Sequence, residues 1–156
     1  MALPIADLAS KLGVSVSPDR LIEALTHGSY AYERGGRSNR RLAFLGKGFI
    51  ELVVTEELGR RHPRAAANDR QRMKSFVVNE RAVASVARSL GLDAYLRLGR
   101  GEDRMGGRRK PLILANALEA VVGAVHADAL PCRNSQLGKG SARRSMRFPL
   151  VSRKGS

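Results

Sequence analysis

Apolar residues recur at helical spacing through most of residues 1–128, and the pattern then stops. Residues 5–12 read as a short amphipathic helix with Leu8 and Leu12 facing inward. Ser17-Pro18-Asp19 is a helix start, with proline near the first turn, and the helix continues over residues 21–26. Gly35-Gly36-Arg37-Ser38 is a loop, and Ser38 or Asn39 is placed to cap the helix after it. That helix begins the stretch Asn39 to Val54, around which the chain is organised. Its apolar residues fall at Leu42, Leu45, Phe49, Leu52 and Val53, while Ala43 and Lys47, four apart, share one face. The helix should run to about Arg61 and stop before Pro63, because the residue preceding a proline avoids helical geometry.

A polar link over residues 64–68 leads into a helix over residues 69–78, with Met73, Phe76 and Val77 as its apolar stripe. Asn79 caps the next helix, whose stripe is Val83, Val86, Ala87 and Leu90 and which Gly91 ends. Residues 96–110 are rich in Gly and Arg. The glycine spacing suggests a phosphate-cradling loop, but no strand precedes it, so that reading is weak. Pro111 opens a last helix over residues 112–127, with Ile113, Ala117, Val121 and Ala124 inward. Leu130-Pro131-Cys132 breaks it, and residues 135–156 lack helical periodicity and are expected to be disordered. No internal repeat and no convincing strand pattern emerge. The expected architecture is all-α, a helical domain over residues 1–128 followed by a basic tail over residues 129–156.

Charge changes this picture most. The net charge is +14, which points to a polyanionic partner, most often nucleic acid, rather than to a merely solvated surface. Seven of the 28 basic residues and none of the 14 acids lie in residues 129–156, so half of the excess sits on the tail. The lone Cys132 excludes an internal disulfide and suits a reducing cytoplasm. Residues 1–12 carry Asp7 and lack a long apolar core, and no run of 18 apolar residues occurs, so neither a signal peptide nor a membrane span is expected.

The stretch Asn-Arg-Arg-Leu-Ala-Phe-Leu-Gly-Lys over residues 39–47 resembles the signature helix of bacterial ribonuclease III, N-E-R-L-E-F-L-G-D. Asn39, Arg41, Leu42, Phe44, Leu45 and Gly46 match it; Arg40, Ala43 and Lys47 stand where the family has its acids. Leu25-Thr26-His27-Gly28-Ser29-Tyr30 resembles a second family segment, L-T-H-x-S-Y. Val78-Asn79 resembles a third, and residues 99–108 resemble the linker G-x-G-E-x-x-x-G-G-R into the last core helix. Ala67-Asn68 and Arg70 depart from the Glu-Gly and Leu of the family. The resemblance covers roughly residues 21–128 and implies a ribonuclease III-like helical domain, a homodimer, and Mg²⁺-dependent cleavage of double-stranded RNA. Phe44, Leu45 and Phe49 would then be candidates for the dimer interface, Phe49 standing where a smaller residue is usual. The double-stranded-RNA-binding domain that usually follows is not expected in residues 129–156.

In the family, four carboxylates, two from each of two helices, hold the metal. Residues i and i+4 on one helix facing i and i+3 on another converge on a point, and Mg²⁺ wants such hard oxygen ligands. Carried over by position, the four places are Ala43, Lys47, Asn116 and Glu119, of which only Glu119 is acidic. Metal binding is therefore not expected, although Asn116 and Glu119 retain oxygen donors; Lys47 is expected instead to pair with Glu119. Arg40, Arg41, Lys47, Arg108, Arg109 and the tail are the candidate RNA contacts.

The leading expectation is a binder of double-stranded or structured RNA, including a ribosome-associated role, without the endonuclease activity. Two alternatives stay open. One is a Mg²⁺-dependent endoribonuclease using Glu119, Asn116 and Asp69; the other is a non-catalytic dimerisation partner of an active paralogue. Whether the acids were lost by drift or by selection also stays open. His27 reads as a packing and hydrogen-bonding residue. His62 is expected to be exposed, His126 and Cys132 lack companions for a metal site, and Glu51, Glu56 and Glu57 read as helix-surface charges.

Overall fold

The computed structural model describes residues 5–129. Eight α-helices follow one another: α1 Ile5–Leu12, α2 Pro18–Leu25, α3 Gly28–Arg34, α4 Arg40–Arg61, α5 Ala67–Val77, α6 Glu80–Ser89, α7 Arg100–Arg104 and α8 Pro111–Ala129. Two 3₁₀ turns, Leu92–Ala94 and Gly107–Arg109, lie between α6 and α8. The only strand-like pairing among the described residues is an isolated bridge between Thr26 and Arg97. The all-α expectation is met. The basic tail and Cys132 lie outside the described residues.

Local chemistry sets the helix ends much as the pattern suggests. Pro18 occupies the first turn of α2, where its missing N–H has no partner to lose. Asn79 accepts from the Ala82 N–H at 2.9 Å and starts α6. Gly91 takes a left-handed φ of 71° just after it, a conformation that glycine adopts without Cβ strain. A cap that the pattern does not show joins the two ends of the domain. The Ser17 N–H donates to the Asp128 carboxylate at 2.6 Å, and Arg20 pairs with the same carboxylate at 2.7 Å.

Helix α8 is the axis of the core. It packs most extensively on α4, then on α6 and α2. Its Ile113, Ala117, Val121 and Ala124 are buried, as expected, and Leu114, Ala115, Ala120 and Gly123 join them. Leu8, Leu21, Leu25, Leu42, Leu92, Leu96 and Leu114 are fully enclosed around it. Each such leucine contributes about 1.5–3 kcal/mol of transfer free energy. By length and apolar content alone α8 would suffice to span a membrane. Its central place among the other helices accounts for that composition.

The crossing of α4 and α8 is a backbone contact. A Cβ on Gly46 would fall on the Glu119 carbonyl oxygen and 2.7 Å from the Gly123 nitrogen. A Cβ on Gly123 would fall on the Leu42 carbonyl oxygen and 3.0 Å from the Gly46 nitrogen. No rearrangement of a flexible side chain relieves either clash, because the obstacles are main-chain atoms of the opposite helix.

The apolar stripes of α4, α5 and α6 differ from expectation. In α4 only Leu42, Ala43 and Gly46 are buried, all within the first two turns. Leu45, Leu52 and Val53 are exposed, and Phe49 is half-buried against the His126 ring, with centroids 4.4 Å apart. At 22 residues the helix outruns the core it leans on, so its later apolar positions are only partly covered or exposed. Helix α5 lies on this projecting part of α4 and has no buried residue; Phe76 is 80% exposed. In α6, Val86 is half exposed and Ala84 takes the core position instead.

Gly46→Ala and Gly123→Ala should each lower unfolding free energy by at least about 1–3 kcal/mol, the usual cost of overpacking. Gly48, two residues along α4, has open space where a Cβ would be. Gly48→Ala should stabilise by about 0.5–1 kcal/mol through helix propensity. Urea unfolding of the three variants beside the parent checks the contrast.

Candidate functional site

The α4–α8 crossing decides which side chains meet. Gly46 rests on the Glu119 backbone, so Ala43 and Lys47, which flank it on α4, lie opposite Asn116 and Glu119 on α8. Together with Asn39, Arg40 and Phe44 they line one open cleft of about 210 Å³. The four positions expected to converge therefore do so. Asp69 does not line this cleft and is exposed near the start of α5, so the atypical carboxylate set that included it is not assembled.

The cleft is poor in acid. Glu119 is half-buried, and burial pushes its carboxyl above the ordinary value; Lys47 opposes that shift and Glu51 adds to it. The expected Lys47–Glu119 ion pair is absent. Lys47 acts on Glu119 through the field without an N···O contact within 4.0 Å; it is exposed and has no carboxylate partner among the described residues. The ammonium keeps its hydration and its freedom, which a half-buried partner would have to repay. Ala43 offers only a methyl group. Among the described residues no three His, Cys, Asp or Glu side chains cluster in a way that could hold a metal. One carboxylate, one amide oxygen and an ammonium do not suit Mg²⁺, which takes hard oxygen ligands and whose charge Lys47 would oppose.

The expected RNA contacts divide. Arg40 and Lys47 line the cleft, and Arg109 is exposed. None of the three has a carboxylate partner within 4.0 Å among the described residues. Arg41 instead reaches Glu23 on α2 at 3.2 Å. Arg108 is held in the fold, at 2.8 Å from Asp103 and 2.8 Å from the Asp93 carbonyl. The bulk charge of the chain gives no sign of which arginines are already engaged.

Asn39 is a residue whose importance the pattern understates. It stands at the N-terminus of α4 as one of the two candidate caps, yet its side chain makes no capping bond. Its backbone is already helical there, at φ −69° and ψ −5°. The residue is 3% exposed, its backbone N–H donates to Thr26 at 2.8 Å, and its Nδ2 has no hydrogen-bond partner.

His27 is a structural cap. Its Nδ1 accepts from the Ser29 N–H at 3.2 Å and lies 2.9 Å from the Ser29 hydroxyl, which in turn accepts from the Gly99 N–H at 2.9 Å. This starts α3 and ties it to the segment before α7. Burial holds the imidazole below its ordinary value of 6.5; Glu102 raises it, while Arg40 and Lys110 lower it. His62 is exposed at the end of α4, and His126 stacks on Phe49. Glu51 pairs with Lys74 at 3.7 Å, joining α4 to α5. Glu57, flanked by the hydrogen-bonding Arg60 and Arg61, is held down to about 2.

Residues 18–131 match the family model described as Ribonuclease-III-like. The chain is 50% identical over 125 residues to Ribonuclease 3 of Thermobifida fusca (strain YX), covering 80% of the chain and 52% of that relative. It is 49% identical over 122 residues to Ribonuclease 3 of Streptomyces coelicolor, covering 78% of the chain and 44% of that relative. The chain thus spans about half the length of the curated relatives it matches. Among solved structures, a nuclease domain of ribonuclease III from Campylobacter jejuni aligns with a TM-score of 0.76 at 36% identity. That alignment covers 81% of this chain and 87% of that one. The Campylobacter structure is described by flexibility in a region involved in dimer formation.

The site makes two outcomes expected. The triple change Ala43→Glu, Lys47→Asp and Asn116→Asp should create Mg²⁺ binding in the cleft, seen by calorimetry as a heat absent from the parent. A folded triple variant that stays silent would count against the four-position mapping. His27 makes the fold sensitive to acid. Its folded-state value lies below the 6.5 of the unfolded chain, so the unfolded state binds more protons in that window. Stability is therefore lost as the pH falls below about 6.5. His27→Asn keeps an acceptor at the cap and removes the titration. Between pH 7.5 and 5.5 its urea midpoint should fall less than that of the parent.

Proposed function

The chain belongs to the ribonuclease III-like family, and on that premise we propose that it binds double-stranded or structured RNA without the Mg²⁺-dependent endonuclease chemistry of the fold. The observation that supports this reading most is the inverted polarity of the α4–α8 cleft. Three of the four positions for acids carry a methyl group, an ammonium and a neutral amide, and Arg40 adds a further cation at its rim. Cleavage needs a bound divalent ion to activate water and neutralise charge on the phosphate. Binding needs only cations placed where phosphates pass, and Lys47, Arg40 and Arg109 supply them. No cofactor is required for this function, and the expected site of action is the cytoplasm.

The same reading includes a homodimer. Phe44 is 85% exposed, and Leu45, Leu52 and Val53 are exposed beside it on α4. Large apolar side chains grouped on one helix are the usual mark of a protein–protein contact. The dimer formation named for the Campylobacter relative supports a dimer as such. The exposed strip equally suits a second reading, in which the chain lends its scaffold to an active paralogue.

A labelled RNA duplex incubated with purified protein, with Mg²⁺ and with chelator, tests the proposal. The expected result is salt-sensitive binding that ignores the chelator and yields no product. Product formed only with Mg²⁺, and lost in Glu119→Ala, would overturn it in favour of an endoribonuclease. No binding, together with heterodimer formation, would establish the scaffold reading.

A further inference from the structure

We propose that the apolar groove beside the C-terminal half of α8 is the seat of the chain's own segment Phe148–Val151, folded back onto the helix from which it departs. The inference does not rest on the RNA-binding reading.

The groove measures about 310 Å³ and lies away from the α4–α8 cleft. Its walls are Leu12 and Val14 at the exit of α1, Leu90 at the exit of α6, and Leu118, Val122 and Val125 along α8. Each of these six side chains is half-buried, so the core covers one side of it and leaves the other open. His126 is the one polar side chain on the wall, and its ring is already stacked on Phe49. No Lys, Arg, Asp or Glu lines the groove. Such a surface accepts apolar side chains and offers an ion no compensation for lost hydration.

The occupant follows from where the described chain stops. Ala129, the last described residue, is itself on the groove wall, and residues 130–156 continue from it. Pro131 turns the chain off the axis of α8, because the residue preceding a proline avoids helical geometry. The residues that follow carry seven Lys and Arg and no acid, and a groove without counter-charges excludes those side chains. Phe148, Leu150 and Val151 are the one place in residues 130–156 where three large apolar side chains fall within four positions. Pro149 among them favours an extended backbone at Phe148 and brings no N–H that would need a partner on an apolar wall.

The dimensions agree. Leu118 to Ala129 covers roughly 16 Å of helix at about 1.5 Å per residue. Four extended residues cover about 12 Å. A flexible linker as long as residues 130–147 has a root-mean-square span of roughly 20–25 Å, enough to return to any point of the groove. Because the segment is tethered, its effective concentration is in the millimolar range and a weak contact suffices. The Ala129 end also carries the negative pole of α8, which suits the cations Arg147 and Arg153 that flank the segment on either side.

Methyl NMR on the whole 156-residue chain tests the proposal. Cross-relaxation between the Phe148 ring and the Leu118, Val122 and Val125 methyls is expected. Phe148→Ser combined with Leu150→Ser should abolish it and shift those methyl resonances, while the enclosed Leu25 and Leu42 stay where they are. The two substitutions lie outside the described core, and the unmoved leucines report that the fold is kept. Val122→Thr preserves the shape of the wall, adds a hydroxyl to it, and should weaken the same contact. Mixing labelled with unlabelled chains separates contacts within one copy from contacts between copies. Contacts found only between copies would overturn the proposal in favour of a second copy as the occupant. Contacts from Leu130 or Leu137 in place of Phe148 would overturn the choice of segment and the proposal with it. Groove methyls indifferent to the double substitution would likewise overturn it and leave the groove to a separate partner.

Discussion

Two glycines set the distance between the two longest helices, and most of the molecule depends on that distance. Gly46 and Gly123 let the backbones of α4 and α8 touch, leaving no room for a methyl group on either side. Close approach removes side-chain bulk from the crossing, so the enclosed leucines gather around the rest of α8. It also fixes which residues face one another beside the contact. The positions flanking Gly46 on α4 are brought onto those near Glu119 on α8 whatever their chemistry. The scaffold of the site is thus a consequence of packing, and its charge can change without disturbing the fold.

That separation explains how the cleft carries the geometry of one chemistry and the charges of another. A site that gathers acids is held together against their mutual repulsion by the ion it binds. With Ala43, Lys47 and Asn116 in those places, the repulsion is gone and no ion is needed to relieve it. What remains strained is smaller: a half-buried Glu119 whose carboxyl is pushed upward by burial, and an Asn39 amide without an acceptor. Both are polar groups whose surroundings do not fully satisfy them. Among the described residues the other buried polar side chain, Thr26, is by contrast hydrogen-bonded at 2.7 Å to Ile22.

Much of this is legible in residue order. Periodicity locates the helices, and Pro18, Asn79, Gly91 and Pro111 mark their ends; spacing puts Ala43 with Lys47 and Asn116 with Glu119 on one helix face each, and the family resemblance is what brings the two pairs together. The misses share a cause. Periodicity reports that a helix has an apolar side but not how far its partner extends, so Leu45, Leu52, Phe76 and Val86 read as inward and lie outward. Counting charges likewise says nothing about commitments made across the fold. Arg41 and Arg108 are held by acids distant in sequence or hidden in a turn, and Lys47 does not take the partner that electrostatics alone would choose. The Asp128 cap of α2 joins residues 111 positions apart, beyond any local signal.

The part of α4 beyond Gly46, with α5 laid along it, forms an arm in which no residue is buried among those whose burial defines the core. Its internal ties are few and lie at the surface, such as the Glu51–Lys74 pair and the Glu57 pairs with Arg60 and Arg61. Local stability follows burial, so this arm opens at a lower free energy than the leucine core around α8. The isolated chain consequently has two levels of cooperativity, a core that melts as one unit and an arm that frays ahead of it. A partner covering Leu52, Val53 and Phe76 would merge the two into one, and such an association would also complete the fold.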